Sequence, residues 1–234
     1  MYIAAFGVLG LAAQELSDPD ALYRDRANLA SATRAAALWE SRLATNPTDF
    51  EAAWKLARTQ YWLGTNGLPV SDRKAALESG IAAGRTAVAI ARDRPEGHFW
   101  MAANMGALAE SFGLRQGLRY RGAIRDALET VLRLDPAFQH GSADRALGRW
   151  YYKVPRLFGG DKRKSEAHLR QALAYNRQSV ITRLFLAETL IALNRKDEAR
   201  HELEAAIAAP HDPEWIPEDR VFREQAQRLL ATLR

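Results

Sequence analysis

Arg145, Arg149 and Lys153 recur every four residues and so share one face of a helix. Arg156, Lys162, Arg163 and Lys164 follow within a few positions. Cations at this density suit one chemistry, the recognition of an anion, either a carboxylate ligand or an acidic partner surface. Lys162 to Lys164 open a helix, where the dipole favours negative charge, so local stability does not account for them. The plainer alternative is a solvated face paired with Asp144, Asp161 and Glu166. Exposed pairs of that kind contribute about 0–1 kcal/mol each and do not explain the clustering.

Beside these cations stand Trp150, Tyr151, Tyr152 and Phe158, which either line an apolar pocket or fill the core. Tyr152 is the one directed at a groove, because Trp150 and Tyr151 occupy other directions around the helix. A second polar and aromatic group comprises His98, Phe99, Trp100 and Asn104. Asn104, inside an alanine-rich helix, needs a partner if buried, and a hydrogen bond across hairpins is expected. The five histidines, His98, His140, His168, His201 and His211, have no paired metal-ligand spacing. Gly159-Gly160-Asp161-Lys162 lacks the glycine spacing and the Lys-Ser/Thr ending of a phosphate loop. With no cysteine either, the chain is expected to carry no catalytic, metal or cofactor site.

The elements that must position these residues are helical. A large apolar residue followed by a small one recurs at Leu56-Ala57, Met105-Gly106, Leu147-Gly148 and Leu186-Ala187. Seven residues on, Leu63-Gly64, Phe112-Gly113 and Leu193-Asn194 close the helix, and Val154-Pro155 is the exception. The small residue is expected on the packing face, and the Gly or Asn supplies a left-handed C-cap. Each such helix precedes a second one, with expected ends at Asn46-Pro47, Arg94-Pro95, Asp135-Pro136, Asn176-Arg177 and Ala209-Pro210. In the central unit Pro155 stops the first helix, Gly159 and Gly160 reverse the chain, and Asp161 caps the next helix. Residues 219–233 read as a terminal capping helix. The fold expected is all-α: an α-solenoid of about four degenerate tetratricopeptide-like helical hairpins with a C-terminal capping helix.

The chain has 234 residues and a formal charge of +5. Between Arg115 and Lys164 twelve Lys or Arg face five Asp or Glu, so this window alone exceeds the total. Residues 1–13 read as a signal peptide or an N-terminal hydrophobic helix, too short to span a bilayer, ahead of one repeat domain over residues 20–234. Export follows from the first of these readings and a cytoplasmic protein from the second.

Three stretches carry a narrower resemblance: GHFWMAANMGALAE from Gly97, the run from Arg133 to Leu173 with its RALGRWYYKVPRLFGGDKRKSEAHLRQAL core, and APHDPEWIPEDR from Ala209. Together they resemble the T component of TRAP (tripartite ATP-independent periplasmic) transporters and related exported bacterial tetratricopeptide proteins. That resemblance implies a periplasmic, non-enzymatic scaffold without a transmembrane span, able to form a trimer. It also implies a protein partner, a solute-binding protein of a TRAP-type transporter, or a small organic or apolar ligand. Members are often lipoproteins, and this sequence has no cysteine. Nucleic acid is not expected; the alternative class is a cytoplasmic adaptor or nucleic-acid-associated protein with no transport role. The residues expected to meet a partner or ligand are Arg145, Arg149, Tyr152, Lys153, Arg156, Phe158, Lys162, His98, Trp100 and Asn104.

Overall fold

The computed structural model describes residues 18–233, and among them there are eleven α-helices and no strand. The expected signal segment, residues 1–13, lies outside the described residues. In chain order the helices are α1 (Pro19–Arg24), α2 (Leu29–Thr45), α3 (Phe50–Trp62), α4 (Val70–Ile90), α5 (Pro95–Ser111), α6 (Leu114–Leu134), α7 (Phe138–Lys153), α8 (Lys162–Tyr175), α9 (Val180–Ala192), α10 (Lys196–Ala208) and α11 (Ile216–Ala231). Odd-numbered helices are the first arms of hairpins and even-numbered ones the second. Two compact units divide the chain within α6, the first ending at Tyr120 and the second starting at Arg121.

Short polar residues set the helix starts. Asn28, Asp49, Asp161 and Ser179 each place a side-chain oxygen on a backbone N–H of the first turn, as N-caps do. Asp161 serves two, Arg163 N at 2.8 Å and Lys164 N at 3.2 Å. Pro95 does not stop a helix. Helix α4 already ends at Ile90, and Pro95 occupies the first turn of α5, where its missing donor is not needed.

Unit 1 is built around Trp39, Leu56, Ala57, Leu77, Met105 and Leu108, all buried. Unit 2 has an aliphatic core of Leu169, Val180, Leu186, Leu190 and Leu203, closed by Ala226 of α11. Small residues allow the close approaches. A Cβ on Gly148 would stand 2.5 Å from Leu169 Cγ, so α7 and α8 meet over a bare backbone.

Two of the signature glycines behave differently from expectation. Gly64 is no left-handed cap but lies inside a π-helical turn, Leu63–Gly67, where a Cβ would meet Leu77 Cγ at 2.5 Å; packing, not chain reversal, requires it. Around Gly106 a Cβ would meet nothing within 4 Å, and a close contact made by α5 falls instead on Gly84 of α4, in the preceding hairpin, against Met101. Gly113 and Asn194 do take the left-handed conformation, at φ +88° and +61°. Among the described residues no helix is long and apolar enough to cross a membrane.

Candidate functional site

In unit 2 the first-arm helices α7 and α9 bring a mixed-charge, aromatic cluster together. Arg149 of α7 is ion-paired with Glu188 of α9, 39 residues further on. Its guanidinium also lies 4.3 Å from the Phe185 ring centre and 5.7 Å from that of Tyr152, both ordinary cation–π distances. From the start of α8, Lys162 places its ammonium 3.8 Å above Tyr152 and donates to the Tyr152 carbonyl oxygen.

The electrostatics follow from this crowding. Burial first, then Lys153 and Arg149, pull the Lys162 amine below the ordinary lysine range, with Glu188 opposing. Burial and the Glu188 carboxylate push the Tyr152 phenol up. Arg149 and Lys162 thus share the Glu188 carboxylate, and Lys153 crowds in beside Lys162. Glu188 is also one wall of an open groove of about 320 Å³, lined further by Leu184, Gln225, Arg228, Leu229 and Thr232. The ion pair and the groove are one continuous surface.

The other sequence candidates are distributed differently. Arg145 is half-buried on α7; Lys153 is exposed, and so is Arg156 in the 3₁₀ turn Arg156–Phe158. Phe158, half-buried, faces the Arg121 guanidinium at 5.6 Å. Trp150 is buried and donates its Nε1–H to the Arg121 carbonyl at 3.0 Å. Tyr151 stacks on His168, whose Nδ1 meets the buried Asp144 carboxylate at 2.7 Å. The glycine turn has no backbone donors left for a phosphate: the N–H groups of Phe158, Gly159, Gly160 and Asp161 bond to carbonyls of Pro155, Arg156, Pro155 and Tyr151.

His98, Trp100 and Asn104 belong to unit 1. His98 Nε2 pairs with the Arg92 carbonyl at 3.0 Å. Trp100 and Asn104 are interior residues, not surface ones, because the alanine-rich helix α5 that carries them is buried on that side. Trp100 packs edge-on against Phe99 at 5.0 Å. Asn104, fully buried, donates to the Ala57 carbonyl of α3 at 2.9 Å and to Trp100 O at 2.8 Å, so its amide joins two hairpins.

Reading the cations alone misses Glu188 and Phe185. A usable signal exists: Arg149 follows the signature pair Leu147-Gly148, and Glu188 follows Leu186-Ala187. Equivalent positions of successive repeats lie side by side. Arg58, after Leu56-Ala57, likewise meets an acid of the preceding first-arm helix, Asp20 of α1, which follows no such pair.

Stacked antiparallel helical hairpins of this kind define a tetratricopeptide-type helical-repeat protein, a scaffold class. Within it, the chain belongs to the TRAP transporter T-component family, whose model matches residues 88–233. The model of Regulator of microtubule dynamics protein 1-3 matches residues 16–158 as well. Among solved structures, a thermophilic TPR protein of Thermus thermophilus is 26% identical over 92% of this chain and 99% of its own, with a TM-score of 0.67. MamA is similar in fold, at 14% identity over 86% of this chain and 95% of its own, with a TM-score of 0.54. No curated protein matches the chain by sequence.

Proposed function

We propose that this protein is an exported, periplasmic and non-enzymatic scaffold whose unit 2 receives an acidic protein partner on the α7–α9–α11 face. One observation carries the reading: Arg149, Lys162 and Tyr152 gather around the Glu188 carboxylate, with Lys153 beside Lys162, and Glu188 opens onto a groove with apolar walls at Leu184 and Leu229. Crowded cations beside an apolar trough suit an acidic surface that offers an aliphatic or aromatic side chain. The groove is open along its length and would leave a small organic acid largely uncovered, which favours a protein edge over a free ligand. Family membership supports transport and export, and makes the solute-binding protein of a TRAP-type transporter the partner of choice.

Titration calorimetry against such a solute-binding protein tests the reading. Lys153→Glu with Lys162→Glu should weaken binding at least about tenfold, since two like-charge contacts costing about 1.4 kcal/mol or more in sum arise at the interface. Binding should also fade as pH rises through the Lys162 titration, which begins below the usual lysine value of 10.5. Unchanged affinity in the double variant removes this face from the account. N-terminal sequencing of the protein from a periplasmic extract tests export separately.

A further inference from the structure

The turn between α7 and α8 is used by neither the core nor the cluster above, and it has an unusual construction. It is rigid: Phe158 N donates to Pro155 O at 2.8 Å, Gly160 N to Pro155 O at 3.2 Å and Asp161 N to Tyr151 O at 3.0 Å. Gly159 sits at φ +102°, and a Cβ on Gly160 would lie 1.7 Å from Val154 O, so neither position tolerates a side chain without rebuilding the turn. At its tip Leu157 is 87% exposed, the most exposed large apolar side chain among the described residues. Arg156 is exposed next to it in the chain, and Arg163 and Lys164 are exposed in the first turn of α8 that follows, Lys164 with its ammonium 5.5 Å from the Tyr151 ring centre. Of the two carboxylates nearby in sequence, Asp161 is occupied in capping α8 and Glu166 in ion pairs with Arg170 and Arg195.

The geometry points to this turn as a docking element for an anionic lipid surface, with Leu157 entering the acyl boundary and Arg156, Arg163 and Lys164 meeting phosphate headgroups. A protein partner ordinarily offers a hot-spot cluster to a matching apolar patch. Here a single aliphatic side chain protrudes among long cationic ones, an arrangement that fits a fluid surface able to close around the knob while the cations snorkel to the headgroups. Neither signal suffices alone. Each cation near an anionic leaflet raises partitioning about fivefold, and a buried leucine about ten- to a hundredfold, so reversible attachment needs both together.

Unit 1 supplies an internal control. Val70, at 69% the next most exposed large apolar residue, opens α4 directly after the matching connector from α3. Its neighbours Asp72, Arg73 and Lys74 are of mixed sign, so it has the knob without the cationic surround.

Vesicle flotation of the full chain tests the inference, with phosphatidylcholine–phosphatidylglycerol vesicles against phosphatidylcholine alone. The wild type should float with the anionic vesicles at low salt and remain behind with the neutral ones. Leu157→Asp should reduce bound protein at least about tenfold, and Arg156→Glu with Arg163→Glu should abolish binding, both with unchanged thermal midpoints because the side chains are exposed. Val70→Asp should bind as the wild type does. No flotation of the wild type, equal binding of Leu157→Asp, or a Val70→Asp loss as large as that of Leu157→Asp overturns the inference; the first of these outcomes would leave the knob to a protein pocket.

Discussion

The two units solve the same packing problem with different chemistry. In unit 1 the first-arm helices are joined by one acid between two bases: Asp20 of α1 meets Lys55 at 2.8 Å and Arg58 at 3.5 Å, and Arg58 lies 3.8 Å from the Tyr23 ring centre. Lys55 and Arg58 further face Trp54, so the cations are largely enclosed by aromatic rings. Unit 2 pairs one base with one acid, Arg149 with Glu188, and crowds Lys153 and Lys162 in beside them. It uses a leucine-rich core and, between α8 and α9, a buried Ser165–Thr189 hydrogen bond of 2.9 Å. The difference teaches where function can sit. Cations enclosed by a carboxylate and by rings, Arg149 among them, hold helices together, and an exposed cation crowded by others, as Lys153 is beside Lys162, presents a charge to something outside.

Several variants sharpen or break this contrast. The largest effect is expected from Leu190→Ala, which empties a fully buried position of unit 2; about 2–5 kcal/mol should be lost, read by urea unfolding. Asn104→Ala in unit 1 should cost about 2 kcal/mol, because it leaves the buried Ala57 carbonyl without the amide that bridges α3 and α5. If Asn104→Ala proves neutral, unit 1 is held by its aromatic packing alone.

Smaller effects discriminate the ion pairs. A double-mutant cycle on Arg149 and Glu188 should give about 1 kcal/mol of coupling, since both side chains retain some solvent contact. The Asp20–Lys55 cycle should give less, and both should shrink with added salt. Equal couplings would erase the distinction between the units.

The helix caps predict the response to acid. Asp49 and Asp161 are both held below the ordinary aspartate value of 3.8, first of all by backbone N–H groups, from Ala52 for Asp49 and from Lys164 and Arg163 for Asp161. A depressed folded value means that their stabilisation is complete above the ordinary value and is lost as pH falls through the depressed one. Asp49→Asn and Asp161→Asn should each flatten the stability–pH curve in that acid window and leave the slope near neutrality unchanged. The smallest expected effect is a gain. Gln139, His140 and Gly141 take consecutive left-handed conformations, at φ 43°, 57° and 75°. His140→Gly should therefore stabilise by about 0.5–1 kcal/mol, the relief of side-chain strain exceeding the added freedom of the unfolded chain.

Much of this architecture was legible without coordinates. The paired large and small residues at Leu147-Gly148 and Leu186-Ala187 located first-arm helices, and Pro155, Gly159 and Asp161 located a turn and a cap, because each depends on local sterics and one or two hydrogen bonds. Gly64 and Gly106 show where local rules stop. Both belong to the repeat signature, yet one packs against Leu77 and the other faces open space, which depends on how a neighbouring helix approaches. The left-handed turn carries no sequence mark at Gln139 or His140, and it sets Gly141 so close to Tyr175 of α8 that a Cβ there would lie 2.7 Å from the ring.

By itself the sequence determined the helical class, the repeat register and the excess of positive charge over residues 115–164, since periodicity and composition are properties of a chain before it folds. Tertiary structure alone decided which charges meet. Arg149 acquires Glu188 from a helix 39 residues away, Asn104 disappears into the core, and Leu157 is left in the open. Charge and apolarity are written residue by residue, but partnership and exposure exist only when distant helices come within a few ångströms of each other.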